Sequence, residues 1–279
     1  LHARETFVPA TTLNLLAASW IQFQVHGWFN HTKLASVFKT NDFWEIDLAA
    51  DDPWREYENP MRIPKTPVQG RTDSGIPTFA NTETHWWDSS QVYGNSEEEL
   101  AMLRDDHRGY MRLENGFLPL DPRIPVGGFD LTGFVDNYWL GLSMLHTLFV
   151  REHNAICDRL IDAFPGRRDD NDWLFHKARL INAALMAKIH TVEWTPAILG
   201  RRSLESSMRA NWWGVLGEQF KEAFGRLNES EEVSGIIGSY ANHHAAPYSL
   251  IEDFVTVYRM HPLIPDEYAF HSHRDHRLV

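Results

Sequence analysis

Cysteine is almost absent from this sequence. The 279 residues include one cysteine, Cys157, so the chain cannot form an internal disulfide bond. A chain without disulfides is typical of a reducing compartment. We therefore expect an intracellular protein, either cytoplasmic or at the periphery of a membrane. Cys157 lies in a helical stretch, and we interpret it as a small core residue rather than a nucleophile.

Positive charge and long apolar runs are also scarce. The chain has 26 Lys and Arg against 38 Asp and Glu, which gives a net charge of −12. A role in binding nucleic acid therefore has no electrostatic support, and strong attraction to anionic lipid is not expected. No apolar run reaches the length of a membrane span, and no signal peptide is recognisable. Any membrane contact is expected to be peripheral, through segments outside this sequence.

Strand patterns and internal repeats are nearly missing, whereas helical signals are frequent. Residues 31–94 are rich in proline and have little periodicity, which predicts a long irregular segment. The fold class predicted from these patterns is mainly α with long loops. The expected helices cover residues 11 or 12 to 30, a segment that starts at 95 or 96, and residues 131–164, 170 or 171 to 194, 211–227 and 249–261.

The most informative of these helices is the last. Ser249 and Glu252 have the spacing of a capping box, and Pro262 cannot continue a helix. Tyr258 and His261 are three residues apart, so a helix places the phenol and the imidazole on one face. Taken alone, this pair is also compatible with a buried tyrosine and a histidine favoured by the negative end of the helix dipole.

A second histidine strengthens the functional interpretation. Gln22 and His26 are separated by four residues in the first predicted helix and therefore share a face. Two imidazoles from two helices suit a haem held between them. One would be the axial ligand of the iron, and the other would stand over the open coordination position.

These motifs resemble a known family. Tyr258-x-x-His261-Pro-Leu-Ile-Pro-Asp resembles the proximal helix of the cyclooxygenase branch of the animal-type haem peroxidases, and Gln22-x-x-x-His26 resembles its distal helix. Residues 20–23, 147–154 and 188–195 are most similar to fatty-acid α-dioxygenases. The resemblance implies a multi-helix, cyclooxygenase-like catalytic domain with long irregular loops. It also implies that residues 1–279 form a single domain that is incomplete at both ends.

The resemblance assigns roles to particular residues. It implies that a haem b is bound, that the tyrosine forms a radical which takes a hydrogen from the substrate, and that a His and a Thr hold the substrate carboxylate. The residues concerned are His261 as axial ligand, His26 as distal acid–base group, Gln22 as a donor over the haem, Tyr258 as the radical, and His190 with Thr195 at the carboxylate. Ordinary surface or core roles stay open for Gln22, His190 and Thr195.

Two departures from the true peroxidases change the expected chemistry. Val25 stands where an esterifying Asp is found in that family, and residues 135–139 contain neither the distal Arg nor a Glu-Met pair. Haem is therefore expected to be bound non-covalently. Cleavage of hydroperoxide is expected to be poor, because no guanidinium stabilises the developing charge. Both points favour an oxygenase.

The resemblance also implies a calcium loop. Thr84, Trp86, Asp88 and Ser90 match its hydroxyl, carbonyl and carboxylate donors, which are oxygen ligands suited to a hard cation. The family's remaining ligand is an Asp directly after the distal His, and here that residue is Gly27. Calcium binding and a purely structural Trp-rich loop beside the distal helix therefore both stay open.

The resulting functional hypothesis is a haem-dependent fatty-acid α-dioxygenase. It would add O2 at C2 of a long-chain fatty acid to give the 2-hydroperoxide. The alternatives are an animal-type haem peroxidase, a mid-chain fatty-acid dioxygenase and a non-catalytic haem-binding remnant. His190 and Thr195 favour the first hypothesis, because they would bring the carboxyl end to the radical. The sequence does not indicate the preferred chain length or the oligomeric state.

Overall fold

A computed structural model of the chain describes residues 5–31, 42–84, 86–124, 128–228 and 230–236, together with separate positions between 250 and 277. The prediction of a mainly α fold is confirmed. The helices are α1 (Leu15–Val25), α2 (Ser90–Tyr93), α3 (Glu97–Leu103), α4 (Leu140–Ala163), α5 (Asn171–Ile189), α6 (Thr195–Leu199), α7 (Arg202–Trp213), α8 (Glu218–Phe224) and α9 (Glu231–Ser234). A π-helix over His190–Trp194 connects α5 to α6, and short 3-10 helices cover Pro53–Glu56 and Pro165–Arg167.

Two small antiparallel sheets interrupt the predicted loop. Strand β1 (Phe43–Ile46) pairs with β2 (Met61–Pro64), and β3 (Val68–Arg71) pairs with β4 (Pro77–Phe79). The segment over residues 31–94, predicted to be irregular, therefore contains two short hairpins that the sequence did not indicate. These strands have three or four residues and are mostly exposed, so they lack the apolar alternation by which a strand is recognised in a sequence.

The core is built around α4, which packs against both α1 and α5. In the interface of α1 with α4, the rings of Phe23 and Phe149 stack with their centres 5.4 Å apart. Burial of large apolar side chains is the main stabilising contribution here. Within the described ranges, no helix is both long enough and apolar enough to cross a membrane.

Side-chain caps fix several helix starts. Asp170 accepts a hydrogen bond from the Trp173 N–H at 3.1 Å, and Ser96 accepts one from the Glu99 N–H at 3.2 Å, so both predicted starts are confirmed. The predicted start of α1 at Thr11 or Thr12 is wrong. Asn14 caps this helix by accepting from the Leu16 N–H at 3.0 Å, and α1 ends at Val25 rather than at residue 30.

Three other predicted bounds are wrong. Helix α4 begins at Leu140, because residues 131–139 are irregular. The helix predicted over residues 211–227 is interrupted between Trp213 and Glu218, where Gly214 and Gly217 have φ angles of +82° and +83° that glycine tolerates best. Pro196 does not end the segment after α5, since it lies in the first turn of α6, where its missing N–H costs little.

Candidate functional site

The first predicted site residue, His26, lies directly after α1 and is buried. Its ring packs against Phe134 with the centroids 4.1 Å apart, and its Nδ1 has no hydrogen-bond partner within the described ranges. Burial lowers the pKa of His26 to about 3. The imidazole is therefore neutral at pH 7 and can accept a proton.

A second buried imidazole, which the sequence did not single out as a site residue, lies close to the first. His146 on α4 is fully buried between Phe23, at 4.9 Å between ring centroids, and Tyr138, at 5.6 Å. Neither of its ring nitrogens has a partner among the described residues. Burial and, to a smaller extent, the neighbouring His26 lower the pKa of His146 to about 3. Buried polar atoms without partners are uncommon and call for an explanation.

Gln22 contacts the irregular segment that precedes α4. Its amide nitrogen donates to the backbone carbonyl of Asn137 at 3.0 Å, and its amide oxygen accepts from the indole N–H of Trp139 at 2.8 Å. One amide hydrogen remains after these two bonds. The role of Gln22 as a donor over haem therefore stays a prediction, and these contacts fix its orientation.

His190 is surrounded by four tryptophans from three parts of the chain. The indole N–H of Trp20 lies 3.2 Å from Nδ1 of His190. Trp194 stacks on the imidazole at 4.8 Å, and Trp28 and Trp87 approach it edge-on at 5.5 and 5.1 Å. Burial lowers the pKa of His190 to about 4, so the ring is neutral at pH 7.

Thr195 lies on the same turn as His190, because the π-helix makes residues five apart neighbours. Its hydroxyl donates to the backbone carbonyl of His190 at 2.8 Å. The predicted His–Thr pair therefore shares one local segment. The hydroxyl proton of Thr195 is used within that segment, so a role at a carboxylate requires the hydroxyl to rotate.

Tyr258 lies beside the same aromatic group. Its ring stacks on Phe254 at 4.8 Å and lies 6.5 Å from the ring of Trp28, which in turn contacts His190. Burial raises the pKa of Tyr258, so the phenol is protonated at pH 7. A single indole ring thus lies between the predicted radical residue and the predicted carboxylate ligand. His261, the predicted axial ligand, and the capping pair Ser249 and Glu252 lie outside the described residues.

The predicted calcium loop is closed by hydrogen bonds next to the end of α1. The Thr84 hydroxyl donates to the Asp88 carboxylate at 2.7 Å, and the Ser90 N–H donates to the same oxygen at 3.3 Å. The Ser90 hydroxyl donates to Glu83 at 3.2 Å. The remaining predicted ligand is the backbone carbonyl of Trp86, and the side chain of this residue is exposed.

Gly27 lies against Gln91, which occupies the space that a longer residue at position 27 would need. A Cβ at Gly27 would collide with the amide oxygen of Gln91. That oxygen is buried and has no partner within the described ranges. No group of three or more His, Cys, Asp or Glu side chains that could hold a metal ion occurs in this part of the chain as described.

The profile of the family described as animal haem peroxidase matches residues 1–278. The chain belongs to the animal haem peroxidase family. The chain is 38% identical over 273 residues to alpha-dioxygenase 1 of Capsicum annuum and 38% identical over 277 residues to alpha-dioxygenase PIOX of Pisum sativum. Each alignment covers 95% of this chain and 40% of the relative's length.

Solved structures of this family have the same fold. The fatty acid alpha-dioxygenase of Arabidopsis thaliana superposes with a TM-score of 0.81 at 35% identity, covering 97% of this chain and 41% of that one. A tyrosine-to-phenylalanine variant of the Oryza sativa enzyme with palmitic acid superposes with a TM-score of 0.78, also at 35% identity, over 94% of this chain and 41% of that one. The predicted family and fold are therefore confirmed.

Sequence reasoning did not identify two parts of the site. His146 carries no local signal, since a histidine in an apolar helix face is more often a core residue. The second part is the group of four tryptophans around His190, which we call the tryptophan box. It depends on contacts between residues as far apart as Trp20 and His190, which are 170 positions apart. Such contacts form only when the folded chain packs α1 beside the π-helix, so the sequence gives no local indication of them.

Proposed function

We propose that this chain carries a fatty-acid α-dioxygenase site, which adds O2 at C2 of a long-chain fatty acid and gives the 2-hydroperoxide. The observation that carries this proposal is the contact of one indole, Trp28, with both Tyr258 and His190. A carboxylate bound at His190 would bring the carbon next to it towards the phenol. The relatives named alpha-dioxygenase and the homologous structure with palmitic acid support the same substrate class.

The family implies haem as the cofactor. We propose that haem b would be bound non-covalently, that His261 would hold its iron, and that His26 would act there as an acid–base group. Two observations on the described residues fit such a group. His26 is neutral, and its Nδ1 has no hydrogen-bond partner within the described ranges. Gln22 is held in place by hydrogen bonds to Asn137 and Trp139. Haem would supply the oxidising equivalent that converts Tyr258 to its radical once.

The remaining steps fall to side chains of this chain. The tyrosyl radical of Tyr258 takes a hydrogen atom from C2 of the fatty acid, which leaves a carbon radical. O2 adds to that carbon, and the resulting peroxyl radical takes the hydrogen atom back from Tyr258. Fatty acid and O2 are thereby converted to the 2-hydroperoxide with the tyrosine regenerated, so Tyr258 acts as the catalytic residue and His190 orients the substrate.

Burial defines the protonation states for these steps. The pKa of Tyr258 is raised by burial, so the phenol keeps the hydrogen that the radical cycle exchanges. The pKa of His190 is lowered to about 4, so its imidazole meets the carboxylate as a neutral hydrogen-bond donor. A neutral donor holds a carboxylate less strongly than a cation does. We therefore expect further donors to contribute to substrate affinity.

The resemblance also implies a calcium ion, and we propose that this chain binds calcium with low affinity. Thr84, Asp88 and Ser90 provide oxygen donors, but Asp88 is the only carboxylate among the four predicted ligands. At position 27 the chain has no side chain to add a second carboxylate. Affinity for calcium depends on the number of charged ligands, so a site with one carboxylate binds weakly.

The proposal is tested with the protein in its full natural length, loaded with haem. We expect a Soret band that is lost in His261→Ala, and oxygen uptake on addition of palmitate. A Soret band of undiminished intensity in His261→Ala would contradict the axial ligand. Full haem loading without oxygen uptake would contradict the dioxygenase assignment and would leave the non-catalytic haem-binding alternative.

A further inference from the structure

The contact between Trp20 and His190 fixes the position of one proton. An indole N–H can only donate a hydrogen bond. Because it lies 3.2 Å from Nδ1 of His190, that nitrogen has to be the acceptor and carries no hydrogen. A neutral imidazole has one ring hydrogen, which must then be on Nε2.

The surroundings of His190 keep this arrangement rigid. Trp20 is buried on α1, so its indole is held by the core. Trp194 stacks on the imidazole at 4.8 Å, and its own indole N–H donates to the backbone carbonyl of Ala17 at 3.1 Å. Helix α1 and the π-helix are therefore joined by two indole hydrogen bonds, of which only one involves the imidazole of His190.

We propose that Trp20 is a positioning residue that holds His190 in the tautomer with hydrogen on Nε2. In this tautomer the Nε2–H is the group that donates to the head group of the substrate. Without the indole N–H, the ring could carry its hydrogen on either nitrogen, and in one of these states Nε2 would face the carboxylate with a lone pair. This inference rests on the proposed role of His190 at the carboxylate, but the tautomer itself does not depend on that role.

The structure offers a matched control for this idea. Replacing Trp20 by Phe removes the indole N–H that contacts Nδ1. Replacing Trp194 by Phe also removes an indole N–H from the same box and keeps an aromatic ring for stacking, but the lost hydrogen bond goes to Ala17 instead of the imidazole. A difference between the two variants therefore reports on the hydrogen bond to Nδ1 rather than on the loss of indole area.

The first experiment uses the unmodified chain. Nitrogen-15 NMR of histidine-labelled protein at pH 7, with His190 assigned by comparison with His190→Gln, reports which ring nitrogen carries the hydrogen. We expect hydrogen on Nε2 only. A signal from the Nδ1–H tautomer as the main species would overturn the proposal, and this outcome does not require any Trp20 variant to fold.

The second experiment compares variants by NMR and by palmitate binding. In Trp20→Phe we expect both tautomers, and an affinity for palmitate that is lower by the reciprocal of the fraction with hydrogen on Nε2, about twofold if the two tautomers are equally populated. In Trp194→Phe we expect the wild-type tautomer. Substitution of Trp20 by 3-benzothienylalanine, which keeps the shape of the ring without the N–H, should reproduce the Trp20→Phe result. An unchanged tautomer in the benzothienyl protein would contradict the role of Trp20.

Palmitate binding by one further variant separates this inference from the proposed function. Unchanged palmitate affinity in His190→Leu, which has no hydrogen-bond donor in this side chain, would contradict the role of His190 at the carboxylate. The tautomer populations of the wild-type and Trp20 proteins would still decide whether Trp20 sets the ring hydrogen.

Discussion

Two groups of buried polar side chains each include one histidine of α4, His153 or His146, and differ in how well their hydrogen-bonding atoms are satisfied. In the first, His153 accepts from the Tyr93 hydroxyl at 2.8 Å through Nδ1 and donates to the Gly109 carbonyl at 2.8 Å through Nε2. Asn182 donates to the Tyr93 oxygen at 2.9 Å. We call this group the Tyr93 network. In the second group, the distal pair of His26 and His146, three ring nitrogens have no partner within the described ranges.

The difference distinguishes polar side chains that stabilise the fold from polar side chains that serve a function. The ring nitrogens of His153 and the hydroxyl of Tyr93 are bonded, although the carbonyl oxygen of Asn182 is not. Such a network links α2, α4 and α5 and is explained by the fold alone. The distal pair lacks that explanation, because an unpartnered buried polar atom costs about 1–3 kcal/mol. We interpret the distal pair as a group whose polarity serves a bound partner.

The largest expected effect comes from breaking the Tyr93 network. His153→Leu removes two hydrogen bonds and leaves the Gly109 carbonyl and the Tyr93 hydroxyl without their partner. We expect the free energy of unfolding to fall by roughly 2–4 kcal/mol, measured as a lower urea midpoint at unchanged slope. Tyr93→Phe keeps the ring but also removes two hydrogen bonds, those with His153 and Asn182, and should cost a similar amount. A loss below ~0.5 kcal/mol in His153→Leu would contradict the structural interpretation.

Acid should weaken both groups. Burial lowers the pKa of His153 to about 4 and that of His26 and His146 to about 3, all below the model-compound value of 6.5. Between pH 6.5 and pH 4 the unfolded chain therefore binds more protons than the folded chain, and stability falls as the pH falls.

For each of these histidines we expect the free energy of unfolding to fall by about 2 kcal/mol between pH 7 and pH 5. Urea unfolding at the two pH values measures it. His146→Leu should reduce the difference in stability between the two pH values by about one such share. An equal pH dependence in wild type and His146→Leu would show that His146 is not held neutral.

Gln91 also has a buried side-chain oxygen without a partner in the described part of the chain, and it occupies the space that a side chain at position 27, beside the predicted calcium loop, would need. Gly27→Asp alone would add a carboxylate but would force it against Gln91, so we expect lower stability and no gain in calcium affinity. In the double variant Gly27→Asp with Gln91→Ala, the added carboxylate has room, and we expect calcium to bind about tenfold more tightly. Calorimetry measures both, with Gln91→Ala as the control. Equal affinity in the double variant and in Gln91→Ala would contradict the proposed loop.

The smallest effect on stability is expected for the distal pair itself. His146→Leu replaces a buried imidazole, which has no hydrogen-bond partner among the described residues, by an apolar side chain of similar size. The free energy of unfolding of the ligand-free chain should therefore change by less than ~1 kcal/mol at pH 7, or increase. The same substitution in a satisfied position, His153→Leu, provides the comparison. A loss as large as that of His153→Leu would show that His146 has a structural partner in solution.

The sequence predicted the parts of the molecule that local patterns determine. The caps at Ser96 and Asp170 follow from the position of a hydroxyl or carboxylate before a helical pattern, and the resemblance placed His26, His190 and Tyr258 in one site. Contacts across the fold had no local signal. The hydrogen bonds of the Tyr93 network join residues 44, 60 and 89 positions apart. The break between α7 and α8 depended on two glycines within an otherwise amphipathic stretch.

The central claim is that Tyr258 performs the chemistry while haem binding depends on other residues. Tyr258→Phe removes a hydroxyl and keeps the ring that stacks on Phe254 and contacts Trp28. The decisive measurement is paired: the Soret spectrum and the yield of 2-hydroperoxide from palmitate, for haem-loaded wild type and Tyr258→Phe. We expect an unchanged Soret band and complete loss of product in the variant. An unchanged Soret band with an unchanged yield would contradict the role of Tyr258 as the hydrogen-abstracting residue.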